Sequence, residues 1–198
     1  MTHFVFVRHG QTDWNRENRF RGRVDVPLNA VGLEQAKRAA MRLAPAPIAA
    51  VYASPVSRTM VTAELIAQPH GLGVMPRAEL YDLDYGDWQG KMPEEVEPAE
   101  YARWLRAPAE VKFPGGESVG DLRKRIVTLV AQLSAQHEDE TVVLVSHDVV
   151  GKVLVCALLG ADDNAIHRVQ QDTACINRFQ VENGVYLLRT VNETAHLE

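Results

Sequence analysis

Two kinds of apolar pattern alternate along the chain. "HFVFV" (3–7), "IAAVYAS" (48–54) and "TVVLV" (141–145) are short, nearly unbroken apolar runs rich in β-branched residues. Such runs fit strands covered on both faces, as in a parallel sheet layered by helices. Between them apolar positions recur at helical spacing. "VGLEQAKRAAMRLA" (31–44) places Val31, Leu33, Ala36, Ala40 and Leu43 near one face, and "SRTMVTAELIA" (57–67) does the same with Met60, Val61, Leu65 and Ile66. A further helix is predicted after "PGGES": Ser118 caps it, Asp121 completes a capping box, and Val119, Leu122, Ile126, Leu129 and Leu133 form its stripe. "ACINRFQVENGVYLLRTV" predicts two strands around an Asn183–Gly184 turn. Strands alternating with helices predict an α/β fold. The expectation is one three-layer domain over residues 1–198, with a mostly parallel central sheet flanked by helices. Residues 76–116 break the regularity and hold five of the ten prolines, so they read as an irregular helical insertion over one end of the sheet.

Composition narrows the class. Net charge is −5, with 21 Lys and Arg against 26 Asp and Glu, and no basic run stands out, so a nucleic-acid partner is not expected. No apolar run approaches the roughly 20 residues of a membrane span, and no leader is expected before the first strand. Cys156 and Cys175 are too few for a disulfide framework. These readings point to a cytoplasmic protein without membrane or nucleic-acid partners; a homodimer is left open.

The chemistry sits at strand ends. In a parallel sheet, ligands bind beyond the carboxyl ends of the strands. Arg8 and His9 follow the first strand, His147 follows the strand at 141–145, and Arg58 lies just after the strand at 48–54, near a helix start whose amides favour anions. Two histidines and two arginines are thus predicted to converge on one sheet edge. That set suits a compact, multiply charged anion, for which phosphate is the best fit.

These residues belong to longer motifs. "RHGQTDWN" (8–15), "NRFRG" (18–22) with Asp25, Leu28 and Gly32, "ASPVSRTMVTAE" (53–64), "LYDLDYGDWQG" (80–90), "PGGES" (114–118) and "VSHD" (145–148) together resemble the histidine phosphatase, or phosphoglycerate mutase-like, superfamily over nearly the whole chain. The resemblance implies a metal-independent, cofactor-free phosphomonoesterase acting on a small phosphate ester through a phosphohistidine. In that reading His9 is the nucleophile, Arg8, Arg58 and His147 surround the phosphoryl oxygens, and Asn15 binds another of them. Arg21 either contacts an anionic group of the substrate or lies on the surface. The proton donor of the family is usually a glutamate four residues before the glycine of the acid segment. Here that position is Asp82, shorter by roughly one 1.5 Å bond, with Asp84 a weaker substitute. Asp148, where glycine is common, is expected to cap the following helix. Trp14, Tyr85 and Trp88 are read either as pocket lining or as packed aromatics. The alternatives are a phosphoglycerate mutase, a phosphoprotein phosphatase, and a phospho-ligand binding module without activity.

Overall fold

The computed structural model describes all residues 1–198. Its sheet has six strands in the order β3-β2-β4-β1-β5-β6: β1 (Thr2–Arg8), β2 (Ile48–Ala53), β3 (Val74–Pro76), β4 (Thr141–Ser146), β5 (Ile176–Glu182) and β6 (Val185–Glu193). The pairs β3–β2, β2–β4 and β4–β1 are parallel, and β5 and β6 continue the sheet antiparallel. β1 and β4 pair in register from His3–Thr141 to Arg8–Ser146, so both strands end at the same level.

Alternation along these strands divides the core in two. Phe4, Phe6, Ala50, Tyr52, Val142 and Leu144 face helices α5 (Val119–Gln136) and α6 (Asp148–Leu158). Val5, Val7, Val51, Ala53, Val143 and Val145 face α2 (Ala30–Leu43) and α3 (Ser57–Ala67). From Phe4 to Val7 and from Val142 to Val145 every position is buried and apolar whichever face it takes, which is why these strands read as continuous apolar runs. The α5 stripe and its capping box form as the spacing predicts: Ser118 Oγ accepts from Asp121 N at 3.1 Å, and Asp121 Oδ2 accepts from Ser118 N at 3.1 Å. The predicted turn joins β5 to β6, with Asn183 and Gly184 at φ of 51° and 75°.

Two predicted helix faces are right only in part: Ala36, Ala40, Leu43 and Ile66 are buried as expected, and the rest are not. In α2, Val31 and Leu33 are 53% and 38% exposed, and the inner face is Gly32, Ala36, Ala39, Ala40 and Leu43. Gly32 sets this orientation by lying against the loop after β1, where an added Cβ would come within 2.0 Å of Gln11 O. In α3, Met60, Val61 and Leu65 are only half-buried, while Arg58, Thr59, Thr62, Ala63 and Ile66 point inward. The threonines tolerate burial because their hydroxyls donate to the carbonyls of Ser54 and Arg58, each at 2.7 Å.

Residues 76–116 contain β3's last residue, several single helical turns and α4 (Pro98–Arg106). Their aromatics gather edge to face: Phe113 lies 5.0, 4.9 and 5.3 Å from Tyr85, Trp88 and Trp104, and Phe20 lies 5.0 Å from Tyr85. This cluster is continuous with the larger core, and the segment is tied to the end of β4 where Ser146 Oγ donates to Leu80 O at 2.7 Å. No helix is long and apolar enough to cross a membrane.

Candidate active site

Three parallel strands deliver the expected residues to one place. β1 ends in Arg8 and passes His9 inward; β4 ends in Ser146 and His147; β2 leads through Ser54 to α3 and Arg58. The His9 amide donates to Ser146 O at 3.0 Å, tying the two strand ends together. The His9 and His147 rings stand 5.3 Å apart, edge to face, and both residues are fully buried.

The hydrogen bonds set the tautomers. His9 Nδ1 lies 2.6 Å from Gly10 O, an acceptor only, so Nδ1 carries the proton and Nε2 a free lone pair. Nε2 is buried and has no partner. Burial holds the His9 pKa well below its usual 6.5, and Arg58, Arg8 and Arg21 push it the same way. Arg58 Nη2 lies 3.4 Å from His147 Nδ1, and His147 Nε2 lies 2.9 Å from Ser54 Oγ. His147 therefore carries its proton on Nε2, toward Ser54. Burial and then Arg58 also hold its pKa well below 6.5.

Arg58 is fully buried, and burial lowers its pKa to about 10, still cationic at neutral pH. Its guanidinium donates to Val24 O at 2.7 Å and Gly22 O at 2.8 Å, while Asp25 Oδ1 accepts from Ser57 N at 2.8 Å. The loop around residues 22–25 is thereby folded onto the start of α3. Arg8 donates to Gln171 O and lies 3.4 Å from Asp148 Oδ1. The Nε atoms of Arg8, Arg21 and Arg58 are buried without partners, so three cationic donors join the His9 lone pair as unsatisfied groups. Buried polar atoms are rarely left so unless a ligand completes them.

Asp82 is 2% exposed. Burial raises its pKa above 3.8, although Arg21 and Arg58 pull it down. The segment that carries it is held by a pair outside the pocket. Arg125 donates from Nη2 to Asp82 O at 3.0 Å and from Nη1 to Glu79 O at 2.6 Å. The same guanidinium pairs with both oxygens of Glu117, at 2.6 and 3.1 Å, and Glu117 Oε1 accepts from Asp84 N at 3.0 Å. Asp84 itself turns to Gly86 N at 3.0 Å and to Arg23 at 3.3 Å, away from this chemistry.

Asn15 lies in the one-turn helix α1 (Asp13–Arg16), and its Oδ1 accepts from Thr12 N and Oγ at 2.8 and 2.9 Å, which leaves its amide NH₂ to donate elsewhere. Arg21 donates to Trp14 O and Arg19 O at 3.3 and 3.4 Å. Arg21 lies on the wall of the pocket rather than on the open surface. An outer cavity of about 550 Å³ is lined by Arg8, Asn15, Arg21, Asp148, Lys152 and Arg168, among others, with one hydrophobic residue. An inner one of about 150 Å³ is lined by Arg21, Phe20, Tyr85, Tyr101 and Trp104. They share Asn18, Arg21, Asp148, Lys152 and His167. Tyr85 is therefore a lining residue, whereas Trp88 is packed and Trp14 lines neither cavity.

Asp148 is not a cap. His147 occupies the N-cap position, and Asp148 is the first residue of α6 with its carboxylate turned to Arg8 and, at 2.9 Å, to Lys152. Burial raises its pKa, but Arg8 and Lys152 outweigh that and hold it below 3.8. Residues unmarked by the sequence reasoning are Ser54, Glu117, Arg125, Lys152 and Arg168. Lys152 carried a signal, its i+4 spacing from Asp148; Arg125, which grips backbone carbonyls, carried none. No group of three or more His, Cys, Asp or Glu is placed to hold a metal ion.

Comparison with known proteins gives a consistent neighbourhood. Residues 4–194 match the model of the histidine phosphatase superfamily, branch 1. Phosphoserine phosphatase 1 of Hydrogenobacter thermophilus is 33% identical over 200 residues, covering 100% of this chain and 95% of that protein. The structure of Bacillus stearothermophilus YhfR superposes with a TM-score of 0.95 at 28% identity over the whole of both chains. A phosphoserine phosphatase mutant from Entamoeba histolytica, in complex with phosphoserine, superposes at 0.90 with 28% identity, also over both whole chains.

Proposed function

The chain belongs to the histidine phosphatase superfamily, branch 1, and on that premise we propose that His9 Nε2 is the nucleophile of a two-step phosphoryl transfer. The chain is a hydrolase of small-metabolite phosphate monoesters. In the first step the His9 lone pair attacks phosphorus and the bond to the ester oxygen breaks. Asp82 gives its proton to the leaving oxygen, and an Nε2-phosphohistidine forms. Arg8, Arg58 and Arg21 hold the equatorial oxygens with the donors the free site leaves unpaired, and the Asn15 amide adds a neutral one. The incoming dianion favours a charged His147, which then adds a further donor. In the second step the Asp82 carboxylate takes a proton from water, the water oxygen bonds to phosphorus, and the P–N electron pair returns to Nε2. The fixed cations neutralise the phosphate, so the reading needs no metal or cofactor.

The observation that carries this reading is the buried, unpartnered Nε2 of His9, with Nδ1 pinned by Gly10 O. The alternative, a phosphoglycerate mutase, fits less well: the arginines of α4, Arg103 and Arg106, line neither cavity. Residues 76–116 act as the cover of the site in this reading, which favours small substrates over phosphoproteins. Two free, buried cysteines suit a reducing cytoplasmic setting. The test is a denaturing alkaline quench during turnover of a labelled monoester in EDTA. The label is expected on His9, stable in alkali and lost in acid; label on another residue, or activity retained in His9→Ala, overturns the mechanism.

A further inference from the structure

The outer cavity carries more positive charge than a phosphate needs. Arg8, Arg21, Lys152 and Arg168 line it against one carboxylate, Asp148, in a chain whose net charge is −5. Four cations against one anion leave three positive charges there. A phosphate monoester brings a charge of about −1.5 to −2. Of the four, Arg8 and Arg21 are the ones assigned to the phosphate, which leaves Lys152 and Arg168 on the cavity wall. Lys152 is on α6, one turn beyond Asp148, and Arg168 ends the helical turn Asp163–Arg168.

The members of this cluster are not equivalent. Asp148 is occupied on both oxygens, by Arg8 at 3.4 Å and Lys152 at 2.9 Å. His167 is pinned, its Nε2 3.0 Å from Trp104 O and its ring 4.8 Å from that of Trp104, and burial keeps its pKa below 6.5. Arg168 lies exposed on the cavity wall and enters no ion pair. A guanidinium in that position offers a planar, two-pronged donor, the geometry that matches a carboxylate.

We propose that Arg168, with Lys152 beside it, forms a subsite for a carboxylate on the substrate, so that the preferred monoesters are phosphorylated hydroxy acids and hydroxy amino acids. The inference rests on the phosphatase reading and narrows its substrate class. It also says what is not read. With Asp148 already paired twice, no free carboxylate faces the subsite, so an ammonium group on the substrate gains nothing. O-Phosphoserine should therefore be a good substrate and O-phosphoethanolamine, which keeps the ammonium and lacks the carboxylate, a poor one.

The experiment compares kcat/KM for O-phosphoserine, O-phosphoethanolamine and 4-nitrophenyl phosphate in the native enzyme and in Arg168→Gln and Arg168→Lys. A charge-assisted hydrogen bond is worth about tenfold to a hundredfold. The loss on phosphoserine in Arg168→Gln is expected to exceed the loss on the other two by that factor, with Arg168→Lys between. Equal losses on all three, or equal native rates for phosphoserine and phosphoethanolamine, overturn the subsite while leaving the phosphatase reading intact. Calorimetric titration of His9→Ala and His9→Ala/Arg168→Gln with the first two compounds separates the questions. If the native chain hydrolyses none of the three compounds, yet His9→Ala binds phosphoserine in an Arg168-dependent way, the phosphatase reading falls and the subsite stands. Arg168-independent binding removes the subsite.

Discussion

Arg125 grips the backbone carbonyl of Asp82 at 3.0 Å, from outside the pocket into which the Asp82 side chain is buried. With Glu117 as counter-ion and Asp84 N bonded to that same carboxylate, the pair fixes the segment on both sides of residue 83. An aspartate reaches less far than a glutamate, so its usefulness depends on where its backbone is held. Arg125→Lys keeps the charge but cannot make these bonds together. It is expected to lower kcat about tenfold or more on an alkyl phosphate, whose leaving oxygen needs a proton, and much less on 4-nitrophenyl phosphate. A similar loss on both substrates would assign Arg125 to stability alone.

Asp82→Asn removes the proton itself. The expected loss on an alkyl phosphate is about 10²–10⁴-fold, against a small loss on the nitrophenyl ester, whose leaving group departs as a stable anion. Phosphohistidine breakdown should slow too, because the same carboxylate activates water. Asp84→Asn should show no leaving-group dependence, since Asp84 faces Gly86 and Arg23. The reverse pattern in a single-turnover assay moves the acid to residue 84.

Gly116 offers a steric route to the same segment. A Cβ there would come within 2.2 Å of Asp84 O, a backbone atom that cannot rotate away. Gly116→Ala is expected to cost about 1–3 kcal/mol, a fall in Tm of roughly 2–12 °C for a chain this size, and to reproduce part of the Asp82→Asn leaving-group signature. A normal Tm by calorimetry would show that the segment yields without cost.

Acid should destabilise the fold. His9 and His147 stay neutral when folded, so below the unfolded pKa of about 6.5 the unfolded chain binds protons the folded one refuses. Stability then falls with pH by up to about 1.4 kcal/mol per unit for each of them. His167 and His196, also lowered by burial, act in the same sense. Asp82 opposes them, because its contribution, present at low pH, is lost as pH rises through its raised pKa. Urea midpoints at pH 5.5 and 7.5 should differ, and His147→Gln should shrink the difference. An unchanged gap would mean His147 is charged in the fold.

What was legible in the sequence followed from local chemistry. β1 and β4 were readable because burial on both faces leaves an unbroken apolar run, and strand ends then located Arg8, His9 and His147. The buried face of α3 was not, because hydrophobicity is a poor guide where a helix turns Arg58 inward and buries threonines that bond their own backbone. Asp148 looked like a cap because Asp caps helices; here the fold puts Arg8 beside it from 140 positions away. Arg125 was invisible for a similar reason, since its partners are carbonyls 43 and 46 residues distant, and carbonyls have no sequence.

The pairing of β1 with β4 and β5 also bears on how the chain is made. β1 leaves the ribosome first, yet both its neighbours in the sheet are synthesised in the last third. At roughly 5–20 residues per second, the 140 positions between Arg8 and Asp148 keep an apolar "FVFV" segment waiting roughly 7–30 s for its partners. The nascent chain thus passes through an interval with a sticky, unpaired central strand, and refolding from denaturant should be slow and prone to aggregate at high concentration. Any truncation before residue 141 leaves that strand permanently unmatched.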